Sequence, residues 1–323
     1  MAYVAGDTIS ASDYNTFVTN SSSPFGYNHF AGTGATVYGL GQTAIAAVTN
    51  ADTVTAAQFN LLINGLTNIG NHTNDSLTAR TTVTAGDTIA IKSAVAADLA
   101  TLAASVAAGS PNATALTTSS ALQTITSGSE GWNSTAVQDV IATFANGNNM
   151  RFFFNGGGKI RLNFDTTASS VSDKDTAFDN LCTAIGNLDI GSLATTRSGS
   201  GETLTTNGLG LGFQDLTTSY QTIIKLTSDN SNYTSNFIEV KAKTVGGNGN
   251  SGDATAINIQ MTASDAAGDT QFDSNNLSSV ATDIKNTPKM VTKLITITPN
   301  TDQGLGVAYG TSATSSETNQ VND

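Results

Sequence analysis

The chain has 323 residues, of which 38% are hydrophobic and only 12% charged, so it can bury cores for roughly two or three domains while relying on hydroxyl and amide side chains for solubility. Its net charge of -12 and the absence of any Lys/Arg cluster interleaved with aromatics argue against reading a phosphate backbone. Cys182 is the only cysteine, which excludes an intrachain disulfide and a thiolate metal centre built within one chain.

The N-terminus, MAYVAGDTIS, lacks the basic start and apolar core of a signal peptide, and no apolar run is long enough to span a bilayer. Synthesis in a cytoplasm without membrane insertion is the expectation. Residues Gly6 to Asn15 (GDTISASDYN) return 45 positions later as Ala51 to Asn60 (ADTVTAAQFN). Such an echo marks a building block. Each copy places Ser or Thr three residues before Asp or Gln, the spacing of a capping box, so Ser10 and Thr55 are the expected N-caps. Ile9 and Val54 are placed to staple onto Tyr14 and Phe59.

The first helix presents Tyr14, Phe17 and Val18 on one face and ends before Ser21-Ser22-Ser23-Pro24. Residues 26 to 43 are rich in Gly, with Tyr27, His29, Phe30 and Tyr38, and read as an irregular loop held by aromatics. Phe59, Leu62, Ile63 and Leu66 form the face of a second helix, with Gly70 as its stop. A weaker echo at Ala85 to Ile89 leads into an Ala-rich helix capped by Ser93, with the stripe Val95, Leu99, Leu102 and Val106 and an end at Gly109 and Pro111. That stripe suits packing within its own domain, or a short coiled-coil contact.

Residues 111 to 131 read as a linker or an edge-like extended segment. Thr135 and Gln138 form another capping-box spacing, which predicts a helix carrying Val137, Val140, Ile141 and Phe144 and closed by Asn146-Gly147. Arg151 to Phe164 (RFFFNGGGKIRLNF) reads as a β-hairpin around a Gly turn, with Ile160, Leu162 and Phe164 on the buried face of its second arm. Ser172 and Asp175 cap a helix that buries Phe178, Leu181, Cys182 and Ile185 and stops at Gly186. Further strands are expected at Tyr220 to Leu226, Asn236 to Ala242, Ala256 to Met261 and Met290 to Thr298. From Thr311 the chain is polar and reads as a flexible tail, unless a neighbour orders it.

No motif nominates catalysis. Gly156 to Lys159 lacks the Ser/Thr and following helix of a phosphate loop, and Gly208-Leu209-Gly210-Leu211-Gly212 lacks the third glycine and βαβ context of a dinucleotide loop. Asp173, Asp175 and Asp179 miss the ligand and Gly positions of an EF-hand and read as helix-start carboxylates. His29 and His72, the only histidines, read as loop hydrogen-bonders, and Cys182 reads as a packed thiol. No local pattern nominates a glycosidase carboxylate pair. Trp132 reads as core, or as a carbohydrate platform if exposed. The expectation is no enzyme, no catalytic residue, no cofactor and no metal.

Taken together, the repeats GDTISASDYN and VTAAQFN and the later RFFFNGGGKIRL resemble virion structural proteins of tailed bacteriophages, particularly the T4-like phages of cyanobacteria. Phe59 stands where the second repeat of that family leads one to expect Trp. The resemblance implies an N-terminal repeat module and a β-rich domain, with no catalytic residues to carry over. The resulting expectation is an α+β chain: a helical repeat and assembly module over 1–110, a linker over 111–131, a β-rich, sandwich-like domain with inserted helices over 132–310, and a tail over 311–323. It would be a structural component of the tail, neck, baseplate or fibre that forms homo-oligomers with Tyr14, Phe17, Phe59 and Leu62 as assembly contacts, and that binds other virion proteins. The alternative is an adhesin that recognises host surface glycans.

Overall fold

Ser10 and Thr55 start two helices by the same chemistry. Ser10 Oγ accepts the Asp13 amide at 3.2 Å, while Thr55 Oγ1 accepts the Gln58 amide at 3.3 Å and Gln58 Oε1 accepts the Thr55 amide at 2.8 Å. Such caps contribute about 0.5–2 kcal/mol each. The computed structural model describes residues 10–31, 39–50, 52–78, 81–86, 92–107, 116–126, 134–166, 173–267, 290–299 and 311–320. Its helices are α1 (Ala11–Thr19), α2 (Tyr27–Ala31), α3 (Ala56–Thr73), α4 (Lys92–Ala107), α5 (Gly147–Asn155) and α6 (Asp173–Ile185). With two antiparallel sheets following the N-terminal helices, the chain is α+β. It divides into two compact units: Met1–Thr117 with Asn148–Gly158 and Thr298–Gly310, and Thr118–Gly147 with Lys159–Ile297 and Thr311–Asp323.

In the first unit α3 packs against α2 and α4, and α1 against α2 and α4. Tyr14, Val18, Phe30, Leu62, Leu66, Val95 and Leu102 are fully buried there, each contributing roughly 1.5–3 kcal/mol of apolar transfer. Val54 and Phe59 are both buried, as a staple requires, whereas Ile9, Gly109 and Pro111 and the side chain of Val106 lie outside the described residues. Helix α4 begins at Lys92, one residue before the expected cap Ser93.

The last residue of each repeat has a role that the spacing alone does not reveal. Asn15 Nδ2 donates to the Val48 carbonyl and Asn15 Oδ1 accepts the Val48 amide, both at 2.8 Å. Asn60 does the same to Val83, both bonds at 2.9 Å. Each repeat thus clamps the backbone that leads into the next. Asn28 adds a third clamp of this kind, on Ile45.

Three expectations in this unit are corrected. Residues 27–31 are a helix, α2, inside the segment read as irregular loop, because Tyr27, Phe30 and Ala31 find a buried face there. Helix α3 runs past Gly70 to Thr73 and ends at Asn74, whose φ of 59° supplies the left-handed cap; Gly70 instead offers the carbonyl that accepts from Asn74. The Arg151–Phe154 run is helix α5, not the first arm of a hairpin. Gly156 to Gly158 close that helix by donating back to Phe152, Phe154 and Phe153 carbonyls at 2.8, 3.0 and 2.8 Å. Gly157 takes φ 90°, and a Cβ on Gly158 would stand 2.6 Å from the Phe153 oxygen, so the glycines serve a helix exit.

The second unit contains two six-stranded sheets. The first has the order β1 (Leu116–Thr118), β11 (Met290–Pro299), β4 (Lys159–Thr166), β5 (Asn187–Ile190), β6 (Thr195–Arg197), with β2 (Gln123–Thr126) also pairing β11. The second has the order β12 (Ser312–Gln320), β3 (Thr135–Thr143), β10 (Ala256–Ser264), β9 (Phe237–Val245), β8 (Gln221–Thr227), β7 (Thr203–Asn207). Residues 116–118 and 123–126 are therefore strands within the segment read as linker or edge. Helix α6 packs on β4 of one sheet and on β8 and β9 of the other, burying Phe178, Leu181 and Ile185, and stops at Gly186 with φ 62°. A bulge between Thr222 and Ile224 turns both Ile223 and Ile224 inward.

Residues 135–143 are strand β3 rather than the expected helix. Ala136, Gln138, Val140 and Ala142 are buried in strict alternation, and Val140 sits opposite Ile259 of β10 and Ser315 of β12. Val137, Val140 and Ile141 fit either period, and the β-branched content with a partner on each side decides. Gln138, read as a capping residue, bridges the sheets: its Nε2 donates to the Met290 carbonyl at 2.9 Å and its Oε1 accepts from Thr292 Oγ1 at 2.5 Å. The expected flexible tail is corrected too. Residues 312–320 form β12, ordered in full register by β3.

Candidate functional site

The four residues expected to mediate assembly lie inside the first unit. Tyr14 and Leu62 are 0% exposed, Phe59 1% and Phe17 5%. The Tyr14 hydroxyl donates to the Gln58 carbonyl at 3.1 Å, so the first repeat is fastened to the second through it. Their apolar surface is covered by the chain's own helices.

Both histidines stand on helices, not in loops: His29 on α2 and His72 in the last turn of α3. The Phe25 ring stacks on His29 at 3.8 Å between centroids, and burial lowers the His29 pKa. His72 Nε2 lies 2.9 Å from the Gly156 carbonyl. A carbonyl only accepts, so Nε2 carries the proton and Nδ1 is bare. Nδ1 is buried with no hydrogen-bond partner among the described residues.

Burial pushes the His72 pKa below its ordinary 6.5, partly opposed by the Gly156 bond. The folded state then binds fewer protons than the unfolded one. Stability is whole above the unfolded pKa and falls as pH drops from there toward the folded pKa. The denaturant midpoint of the first unit is expected to fall as the pH drops below the ordinary histidine value of 6.5, and to fall less in H72Q. An unchanged pH profile in H72Q contradicts this reading.

In the second unit, β4, the start of β5 and the second half of α6 enclose an open groove of about 650 Å³. Polar groups dominate its lining. The Asn163 side-chain amide donates to Asn187 Oδ1, and the Thr166 hydroxyl donates to Asp179; Asp165 and Lys293 complete the charged rim. Two register positions along from the Asn163–Asn187 pair, Arg161 grips Asp189 through two bonds of 2.7 and 2.8 Å, which hold the guanidinium charged. Cys182 borders the groove but is 4% exposed. Burial, then the Asp179 and Asp165 charges, push its thiol pKa up, which disfavours the thiolate. The groove can offer amides, hydroxyls and carboxylates to a polar ligand.

Asp173 and Asp175 stand in the first turn of α6, and no group of three or more His, Cys, Asp or Glu able to hold a metal occurs among the described residues. The Gly208 to Gly212 loop is tied down by Leu211 N–H to Gly208 and by Thr195 N–H to Leu209, both at 2.9 Å. Phe152, Phe153 and Phe154 are buried, as core requires. Ser172 and Trp132 lie outside the described residues. No described helix is long and apolar enough to cross a membrane. No protein family, curated protein or solved structure matches the chain.

Proposed function

We propose that this chain is a non-enzymatic structural component of a bacteriophage virion, at its tail, neck, baseplate or fibre, and that it acts by oligomeric assembly after synthesis in the host cytoplasm. The observation that carries the assembly reading is strand β12. Among the described residues it ends the second sheet, pairs with β3 on one side, lies near β2 as well, and runs for nine residues, SATSSETNQ. Glu317 is its single charge, and it has no proline or lysine. Native edges are normally blunted by such residues, and one without them is a template for another strand. In a chain of net charge -12, a nearly uncharged edge is also where two copies approach with least repulsion. The resemblance of the N-terminal repeats to phage virion proteins supports the setting.

The test is the mass of the full chain in solution, beside a variant carrying Thr314→Lys, Ser316→Lys and Thr318→Lys. These positions share one face of β12. Opposed like charges there are expected to weaken self-association by about 1–3 kcal/mol, roughly 5- to 150-fold. An oligomer insensitive to the three lysines removes β12 from the interface. The polar groove favours a second reading, an adhesin holding a host surface glycan through Asn163, Asn187 and Asp179.

A further inference from the structure

Lys174 stands in the first turn of α6, and Asp265 follows the last residue of β10. The two side chains are in ion-pair contact, Nζ to Oδ2, at 0% and 1% exposure. Lysine is almost never buried so completely unless it is paired. Taking both charges out of water is expensive, and removing the charge is one way the molecule relieves it. The backbone on both sides is pinned. Asp265 N–H donates to the Ser134 carbonyl at 2.8 Å, and the next two amides donate to Asn236 Oδ1 at 2.9 and 2.8 Å. Asn230 Nδ2 donates to the Asp173 carbonyl at 3.4 Å, at the start of the helix.

We infer that Lys174 and Asp265 condense into an intramolecular isopeptide bond. Transfer of a proton from the ammonium to the carboxylate gives a neutral amine beside a neutral carboxylic acid. The Nζ lone pair attacks Cγ, an Nζ–Cγ bond forms, and one Cγ–O bond breaks. The departing hydroxyl takes the second amine proton and leaves as water. The amide keeps the third, so an ammonium and a carboxylate become one amide and one water, with no oxidant or reductant. Holding the two groups in contact removes the entropic barrier to their encounter, and a dry site favours the uncharged product over the ion pair. The bond would tie α6 to the end of β10 in a chain that has no second cysteine for a disulfide. This inference does not rest on the virion assignment.

The test is the intact mass of the denatured full chain, followed by peptide mapping. The wild type is expected to be lighter than its sequence by one water and to yield a branched peptide joining Lys174 to Asp265. Lys174→Met and Asp265→Ala are each expected to return to the mass their sequences require. Because mass is read on denatured protein, neither variant needs to be stable for the comparison. A wild type at its full sequence mass overturns the proposal, and so does a water loss that persists in either variant.

Discussion

Replacing Phe59 with alanine is expected to destabilise the first unit by about 3–5 kcal/mol, the usual result of deleting a buried ring. Phe59 is 1% exposed on α3, the helix on which α2 and α4 both pack, so the void has walls on several elements and cannot collapse without moving them. Against a typical domain stability of 5–15 kcal/mol, the loss brings this unit close to its unfolding threshold. Denaturant titration followed by helix circular dichroism would measure it. Leu61, on the same helix but 58% exposed, is the control: its replacement by alanine is expected to change stability by no more than about 0.5 kcal/mol. If F59A left stability unchanged and dissolved an oligomer instead, the ring would be an assembly contact after all.

The second large effect is expected at Phe178. This ring is 2% exposed on α6, which packs on β4 of one sheet and on β8 and β9 of the other. Its loss opens a cavity beside elements from both layers, and F178A is expected to cost the second unit about 3–5 kcal/mol. Val245, 41% exposed at the end of β9, is the matching control. Hydrogen exchange of the β8 and β9 amides is the measurement, with faster exchange throughout both strands expected in F178A and none in V245A. Protection unchanged in F178A would mean that α6 does not organise the two sheets.

The elements readable from sequence were those set by local chemistry. Ser10 and Thr55 announced α1 and α3 because the cap, joined at Thr55 by the reciprocal bond from Gln58, is satisfied within four residues. Ile160, Leu162 and Phe164 announced β4 because their alternation fits only a half-buried strand. Failures arose where a distant partner decided. Thr135 and Gln138 have the spacing of a helix cap, yet β10 and β12, more than 100 residues away in sequence, hold them in a ladder. The Ser/Thr run of β12 has no apolar alternation of its own and becomes a strand only because β3 presents an edge.

The proposed sites follow the same division. Asn15 and Asn60 were visible as the last residues of the repeat, but their clamps on Val48 and Val83 depend on where the chain returns. Tyr14 and Phe59 looked like surface available for partners because two short helices alone bury little, and α2 and α4 supply the missing cover. Lys174 and Asp265 are joined purely by tertiary structure, so no spacing rule points to them.

The most direct test of the virion assignment is antibody labelling of particles purified from cultures that produce this chain. The account predicts label at a fixed position on every intact particle, in a copy number that matches the oligomer in solution. A chain absent from particles and recovered only as a free monomer would contradict it.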